Sequence, residues 1–161
     1  MTGEITVIET HPRPLAAVRV TAELSKWPSQ FRKSLDKVYA ASSAGEVRQS
    51  GHNVMVYYPR LDGQVDIECG IEVAAKFEPC GEVVYCETPG GVAVTAAHIG
   101  PYQELGASHR AIVDWCRQRG HKLNGTYWEI YGDWENDPAK LRTDLFHSLA
   151  RLGAPNACPG C

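Results

Sequence analysis

The first chemical question comes from a glutamate in an aromatic setting: Glu129, within GTYWEIYGDW from Gly125 to Trp134. Two tyrosines, a tryptophan and an isoleucine in so short a run read as a β-strand. Side chains alternate along a strand, so Trp128 and Ile130 point one way and Tyr127, Glu129 and Tyr131 the other. If the glutamate face is wet, Glu129 is an ordinary exposed carboxylate, since glutamates are almost never fully buried unless paired. If that face is closed, a carboxylate among ring faces attracts aromatic cations, and each ring adds about 0.5–2 kcal/mol of cation–π attraction. Burial also disfavours a carboxylate's charge in general, which is how such groups come to carry protons. With seven tyrosines and four tryptophans in 161 residues, a shared aromatic cavity is a serious alternative to the wet face. Its candidate walls are Tyr57 and Tyr58, in the strand-like VMVYYP, with Tyr39, Tyr102 and Trp115 contributed by the helices.

Those side chains need elements to hold them. ITVIETHPRPLAAVRVTAEL reads as a short strand, a proline-marked turn and a longer strand. In the following segment Phe31, Leu35, Val38 and Tyr39 recur at helical spacing, with Ser25 or Ser29 as the expected N-cap and Gly45 as the stop. NVMVYYPRLDGQVDIECGIEVA reads as a hairpin turning at LDGQ. GEVVYCETPGGVAVTAAHIG reads as another, turning at TPGG. A second helix carries Leu105, His109, Ile112, Val113 and Cys116 on one stripe and ends at Gly120. The stripe leaves His109 open, either buried or at a cleft rim. TYWEIYGDWENDPAKLRTDLFHSLA gives two strands around an Asn-Asp-Pro turn.

The two halves share this layout. LAAVRVTAEL, QFRKSLDKVYA and NVMVYYP with DIECGIEV parallel GVAVTAAHIG, ELGASHRAIVDW and TYWEIYG with RTDLFHSL at an offset of about 74 residues. The expected fold is therefore α+β: duplicated β-α-β-β units, about 14–75 and 89–150, forming one antiparallel sheet with two helices and a ligand cleft at the pseudo-twofold. One domain over 1–152 and a flexible tail over 153–161 complete the expectation.

Composition narrows the function. Hydrophobic residues make up 43% and charged residues 22%, as in ordinary globular chains. A net charge of −3 and a pI near 6.1 argue against a general nucleic-acid binder and not against binding a cation. No run approaches a membrane span, and MTGEITVIETHPRP lacks the basic start and apolar core of a signal peptide, so the expected location is cytoplasmic. The six cysteines lack the density of a disulfide scaffold; Cys69 and Cys116 read as buried thiols. The terminal CPGC has no second pair at zinc-site spacing, so no metal is expected.

The stretch AAHIGPYQELGASHRAIVDWCRQRGHKLNGTYWEIYGDW resembles the GyrI-like small-molecule-binding domain family. The likeness rests on H-x-G-P-Y (His98, Gly100, Pro101, Tyr102), W-x-x-x-x-G (Trp115, Gly120) and W-E-x-Y (Trp128, Glu129, Tyr131), in that order. It covers the second half well; the first half matches in layout, and Glu72 in DIECGIEVA departs from the family's apolar or proline residue. The resemblance implies the duplicated fold, and a pocket in which Glu129, then Tyr131, contacts cationic or polar aromatic ligands. His98 also has a structural reading, as a strand-end histidine bonding backbone near Gly100.

Three functions then compete. The first is a binding module for aromatic, often cationic drugs or toxins. The second is a hydrolase, because some stand-alone relatives open cyclopropane-bearing DNA-alkylating compounds. There Glu129 would activate water and Tyr131 or Tyr102 would stabilise the oxyanion. The third is a protein-interaction module such as a gyrase inhibitor or a regulator's partner. With the domain starting near Met1, no helix-turn-helix is expected and hence no direct DNA contact. No histidine or cysteine is placed as a haem ligand, so no cofactor is expected. The expected state is a monomer.

Overall fold

The computed structural model of the chain describes residues 1–151. The CPGC pair lies outside the described residues. Ten elements follow one another: β1 Thr6–Thr10, β2 Pro14–Ala22, α1 Phe31–Ser43, β3 Gln49–Pro59, β4 Val65–Val73, β5 Val83–Glu87, β6 Gly91–Ile99, α2 Leu105–Gln118, β7 Leu123–Tyr131 and β8 Arg142–Leu149. All eight strands join in one antiparallel sheet, in the order β1-β6-β8-β7-β3-β4-β2-β5. The run β2-α1-β3-β4 and the run β6-α2-β7-β8 share one order of elements. They occupy mirrored places in the sheet and meet where β3 pairs β7.

The helices form because one stripe of each is apolar. Leu35, Val38 and Ala41 bury one side of α1; Leu105, Ile112 and Cys116 bury one side of α2. Neither serine caps α1. A 3-10 turn, Leu24–Ser29, runs directly into the helix, Gln30 takes the N-cap place, and the Ser29 hydroxyl donates instead to the Lys26 carbonyl. Gly45 and Gly120 close the helices with φ of 78° and 73°, the left-handed turn that glycine adopts without strain.

The LDGQ hairpin forms, with Asp62 accepting from the Gln64 amide inside its turn. The hairpin expected at TPGG does not. β5 pairs β2 and β6 pairs β1 and β8, so the two strands stand near opposite ends of the sheet. Six strand spacings separate them in the sheet order, about 29 Å if the sheet were flat. The linking residues Thr88, Pro89 and Gly90 can span about 14 Å at most. The sheet must therefore curl until its ends approach. Thr88 and Arg13 exchange bonds between the two crossing links, and the Thr10 hydroxyl donates to the Pro89 and Gly91 carbonyls.

Curling explains the burial of a face that carries no helix. Leu15, Ala17, Val54, Val56, Cys86, Ala93, Trp128 and Ile130 pack there into one cluster. The opposite face receives α1 over two further apolar clusters and α2 over a third. Gly70 permits a close approach within the sheet: a Cβ there would lie 1.8 Å from the Ala16 carbonyl oxygen.

Candidate functional site

Strand alternation sorts the aromatic residues cleanly. Trp128 and Ile130 join the cluster on the helix-free face, and Trp128 stacks on Phe146. Tyr127, Glu129 and Tyr131 turn to the helix side. Register then fixes their neighbours: Met55 opposite Glu129 and Tyr57 opposite Tyr127 from β3, Leu145 opposite Glu129 and His147 opposite Tyr127 from β8. The glutamate face is closed. Glu129 is 5% exposed.

Both carboxylate oxygens are occupied. Oε2 accepts from the Tyr57 hydroxyl at 3.2 Å and from the Tyr131 hydroxyl. Oε1 lies 2.8 Å from Nε2 of His109, which α2 lowers onto the sheet. The chain of contacts continues, because His109 Nδ1 lies 2.8 Å from His147 Nε2. Rings enclose it: Tyr127 stacks on Tyr57 at 4.7 Å and on His147 at 5.2 Å, and meets His109 edge-on at 5.1 Å. Tyr102 meets Tyr131 edge-on at 5.5 Å. The Met55 sulfur lies 3.5 Å from the Tyr57 hydroxyl oxygen and 3.7 Å from that of Tyr131.

The electrostatics follow from burial beside a carboxylate. Burial first and the Glu129 charge second push the Tyr57 and Tyr131 hydroxyls well above the ordinary tyrosine range, and Tyr127 up to about 12. These hydroxyls stay protonated and remain donors. Burial, then the neighbouring His109, pushes His147 down to about 3, so His147 is neutral at physiological pH.

Of the aromatic residues expected at a pocket, the structure brings Tyr57, Tyr131 and, through Tyr131, Tyr102 to Glu129. It turns Tyr58 to the other face, where its hydroxyl donates to Glu68 at 3.1 Å. Trp115 sits further along α2, between the His121 ring and the Arg119 guanidinium. Tyr39 is 38% exposed and donates to the Asn53 side chain. His98 takes the structural part, with Nδ1 2.7 Å from the Ser108 hydroxyl and Nε2 3.1 Å from the Pro101 carbonyl.

Two features differ from expectation. The space above Glu129 is filled by its own partners rather than open. Clefts of about 440 and 460 Å³ lie elsewhere, the first between α1 and β5, the second lined by Tyr131, Asp133, Lys140 and Arg142 but not by Glu129. The second difference is the pair His109 and His147, together with Tyr127. His109 was legible as part of the α2 stripe, but its target was not, because that depends on how α2 sits on the sheet. His147 had no sequence signal beyond strand alternation.

Among the described residues no group of His, Cys, Asp or Glu has the geometry to hold a metal ion, and no helix is long and apolar enough to cross a membrane.

Comparison with known proteins returns the GyrI-like small molecule binding domain over residues 4–149. Curated protein sequences give no significant match. Among solved structures, the C-terminal domain of EcmrR superposes with a TM-score of 0.72 at 16% identity, covering 92% of this chain and 98% of that one. SAV2435, solved with tetraphenylphosphonium bound, gives a TM-score of 0.66 at 9% identity, covering 91% and 94%. A protein from Listeria innocua described as a hydrolase gives 0.57 at 13% identity, covering 91% and 92%. At these identities the structures speak for the fold. The family match, which runs from before β1 to the end of β8, carries the assignment: this chain belongs to the GyrI-like small molecule binding domain family.

Proposed function

We propose that this domain binds aromatic cations, with Glu129 supplying the countercharge and the surrounding rings the contact surface. One observation carries the reading: a buried carboxylate on a ring-lined face, to which no lysine or arginine among the described residues is paired. A structural glutamate this buried ordinarily has a permanent cationic partner. Ring faces of Tyr57, Tyr127 and Tyr131 add about 0.5–2 kcal/mol each to a cation among them. SAV2435, with its bound tetraphenylphosphonium, supports the choice of probe. Entry requires His109 to turn away from the carboxylate. Every group of the site comes from one chain, so a monomer suffices.

The test is calorimetric titration with tetraphenylphosphonium and with triphenylphosphine oxide, a neutral relative of similar shape. The cation should bind, the neutral compound should bind at least about tenfold more weakly, and Glu129→Gln should remove that difference. Equal binding of both compounds by the parent protein would overturn the reading.

The His109–Glu129 contact favours a second reading, hydrolysis of a spiro-cyclopropane dienone. The pair would take a proton from water as its oxygen attacks the ring carbon. The breaking carbon–carbon bond would pass its electrons to the distant carbonyl oxygen, leaving a phenolate that then takes up a proton. Positioned acid–base groups contribute roughly 10²–10⁴-fold, which a strained ring can make sufficient. Tyr131 would have to leave Glu129 to donate to the growing oxyanion. Multiple water-added products per protein molecule, lost in Glu129→Gln, would establish turnover; binding without product would exclude it.

A further inference from the structure

The partners of Glu129 raise a question of charge. Its basic neighbour is His109, with Nε2 2.8 Å from Oε1, and the other nitrogen of the same ring lies 2.8 Å from His147. A doubly protonated ring satisfies both contacts at once. One N–H donates to the carboxylate and the other to the lone pair of a neutral His147. The cluster then sums to zero charge, which a carboxylate shut away from water requires. His147 cannot carry the positive charge instead, being buried and held near 3. The remaining titratable groups facing the His109 ring and its carboxylate are Tyr127 and Tyr131 from β7 and Tyr57 from β3, with Tyr102 touching Tyr131 from the turn before α2. All four are uncharged phenols, and no cationic side chain of α1 bonds to the group.

Resting on the binding reading above, we propose that His109 is the resident counter-cation of Glu129, and that an incoming ligand cation takes its place with release of one proton. Two positive charges on one buried carboxylate repel, so one must go. The His109 Nε2 proton leaves to solvent through the exposed edge of the side chain, which is 16% accessible. The Nδ1–H bond to His147 stays and keeps the ring tethered. A bare Nε2 lone pair facing Oε1 is repulsive, so the ring swings off the carboxylate and the ligand charge replaces it. The ligand class follows. Oε2 already accepts two hydroxyls, leaving little acceptor capacity for an ammonium N–H. Permanent cations without donors, such as phosphonium and quaternary ammonium, suit the site.

Calorimetry with tetraphenylphosphonium in two buffers of different ionisation heat counts the protons, and the same titration from about pH 5.5 to about pH 8 gives the slope. The parent should release up to one proton per ligand, and its affinity should rise with pH by up to about tenfold per unit in the acidic part of the range. His109→Gln should release none and lose the slope. Binding by the parent without proton release, or an unchanged slope in His109→Gln, overturns the inference and leaves the binding reading standing. No binding at any pH overturns both. A ligand-free arm does not depend on that variant: the His109 ring signals followed by NMR through the same range. In Glu129→Gln the ring should lose its proton at lower pH than in the parent, and an identical titration would overturn the ion pair outright.

Discussion

Met55 and Glu129 face each other across the β3–β7 junction, a thioether opposite a carboxylate at corresponding places of the two halves. The same offset relates Tyr57 to Tyr131 and Leu35 to His109. The Glu129–His109 pair thus stands where the first half has Met55 and Leu35, which pack together in an apolar cluster. At this position the first half places two apolar side chains and the second an ion-pairing couple, beside the apolar cluster that α2 also covers.

Met55 is 4% exposed, so its truncation should be felt as lost packing. Met55→Ala should lower stability by about 2–5 kcal/mol, whereas Met55→Leu should stay under about 1.5. Urea unfolding of both variants checks this, and similar losses would mean that the sulfur contacts to Tyr57 and Tyr131 matter more than volume.

The hydroxyls on Glu129 should be separable from the one on the other face. Tyr131→Phe strips a donor from a buried carboxylate and should cost about 1.5–3 kcal/mol. Tyr58→Phe leaves Glu68 with Arg19, 3.0 Å away, and should cost under about 1 kcal/mol without altering ligand affinity. Unfolding and ligand titration of the two variants together test the assignment of faces.

His147 makes a prediction about acid. Its folded value, about 3, lies below the ordinary 6.5, so the unfolded chain binds the extra proton first. Stability attached to this group is complete above about pH 6.5 and is lost as pH falls toward about 3, by an amount on the order of a few kcal/mol. His147→Gln should flatten the decline of stability over that window. A variant that falls as steeply as the parent would show that other groups govern the acid limb.

Gly70 tests the close approach of β2 and β4. A Cβ there would meet the backbone of Ala16 rather than a side chain that can turn away. Gly70→Ala should cost more than about 3 kcal/mol, and a thermal melt within a few degrees of the parent would show that the strands can part.

Alternation along β7 and the period of the two helices were readable because each depends on local spacing alone. That is why the grouping of Tyr127, Glu129 and Tyr131 on one face was available from the sequence. The TPGG hairpin misled for the same reason. Its turn residues are those of a hairpin, and only the curl of the whole sheet turns them into a crossing between opposite ends. Tyr57 and Tyr58 are indistinguishable by type; register with β7 separates them. His109 reaches Glu129 through the seating of a helix on a sheet, which no spacing rule encodes.

Glu68 and Glu129 each anchor a carboxylate network, on opposite sides of the sheet. Glu68 leans on Arg19 and the Tyr58 hydroxyl; Glu129 leans on His109 and two tyrosine hydroxyls. A guanidinium keeps its charge at any pH the fold survives, so the first network is permanent wiring. An imidazole can give its charge up, so the second is an exchangeable contact. Because the exchangeable member sits on the helix and its partners on the sheet, the proposed binding leaves the choice of admitting a guest to a single α2 residue, without disturbing the framework beneath it.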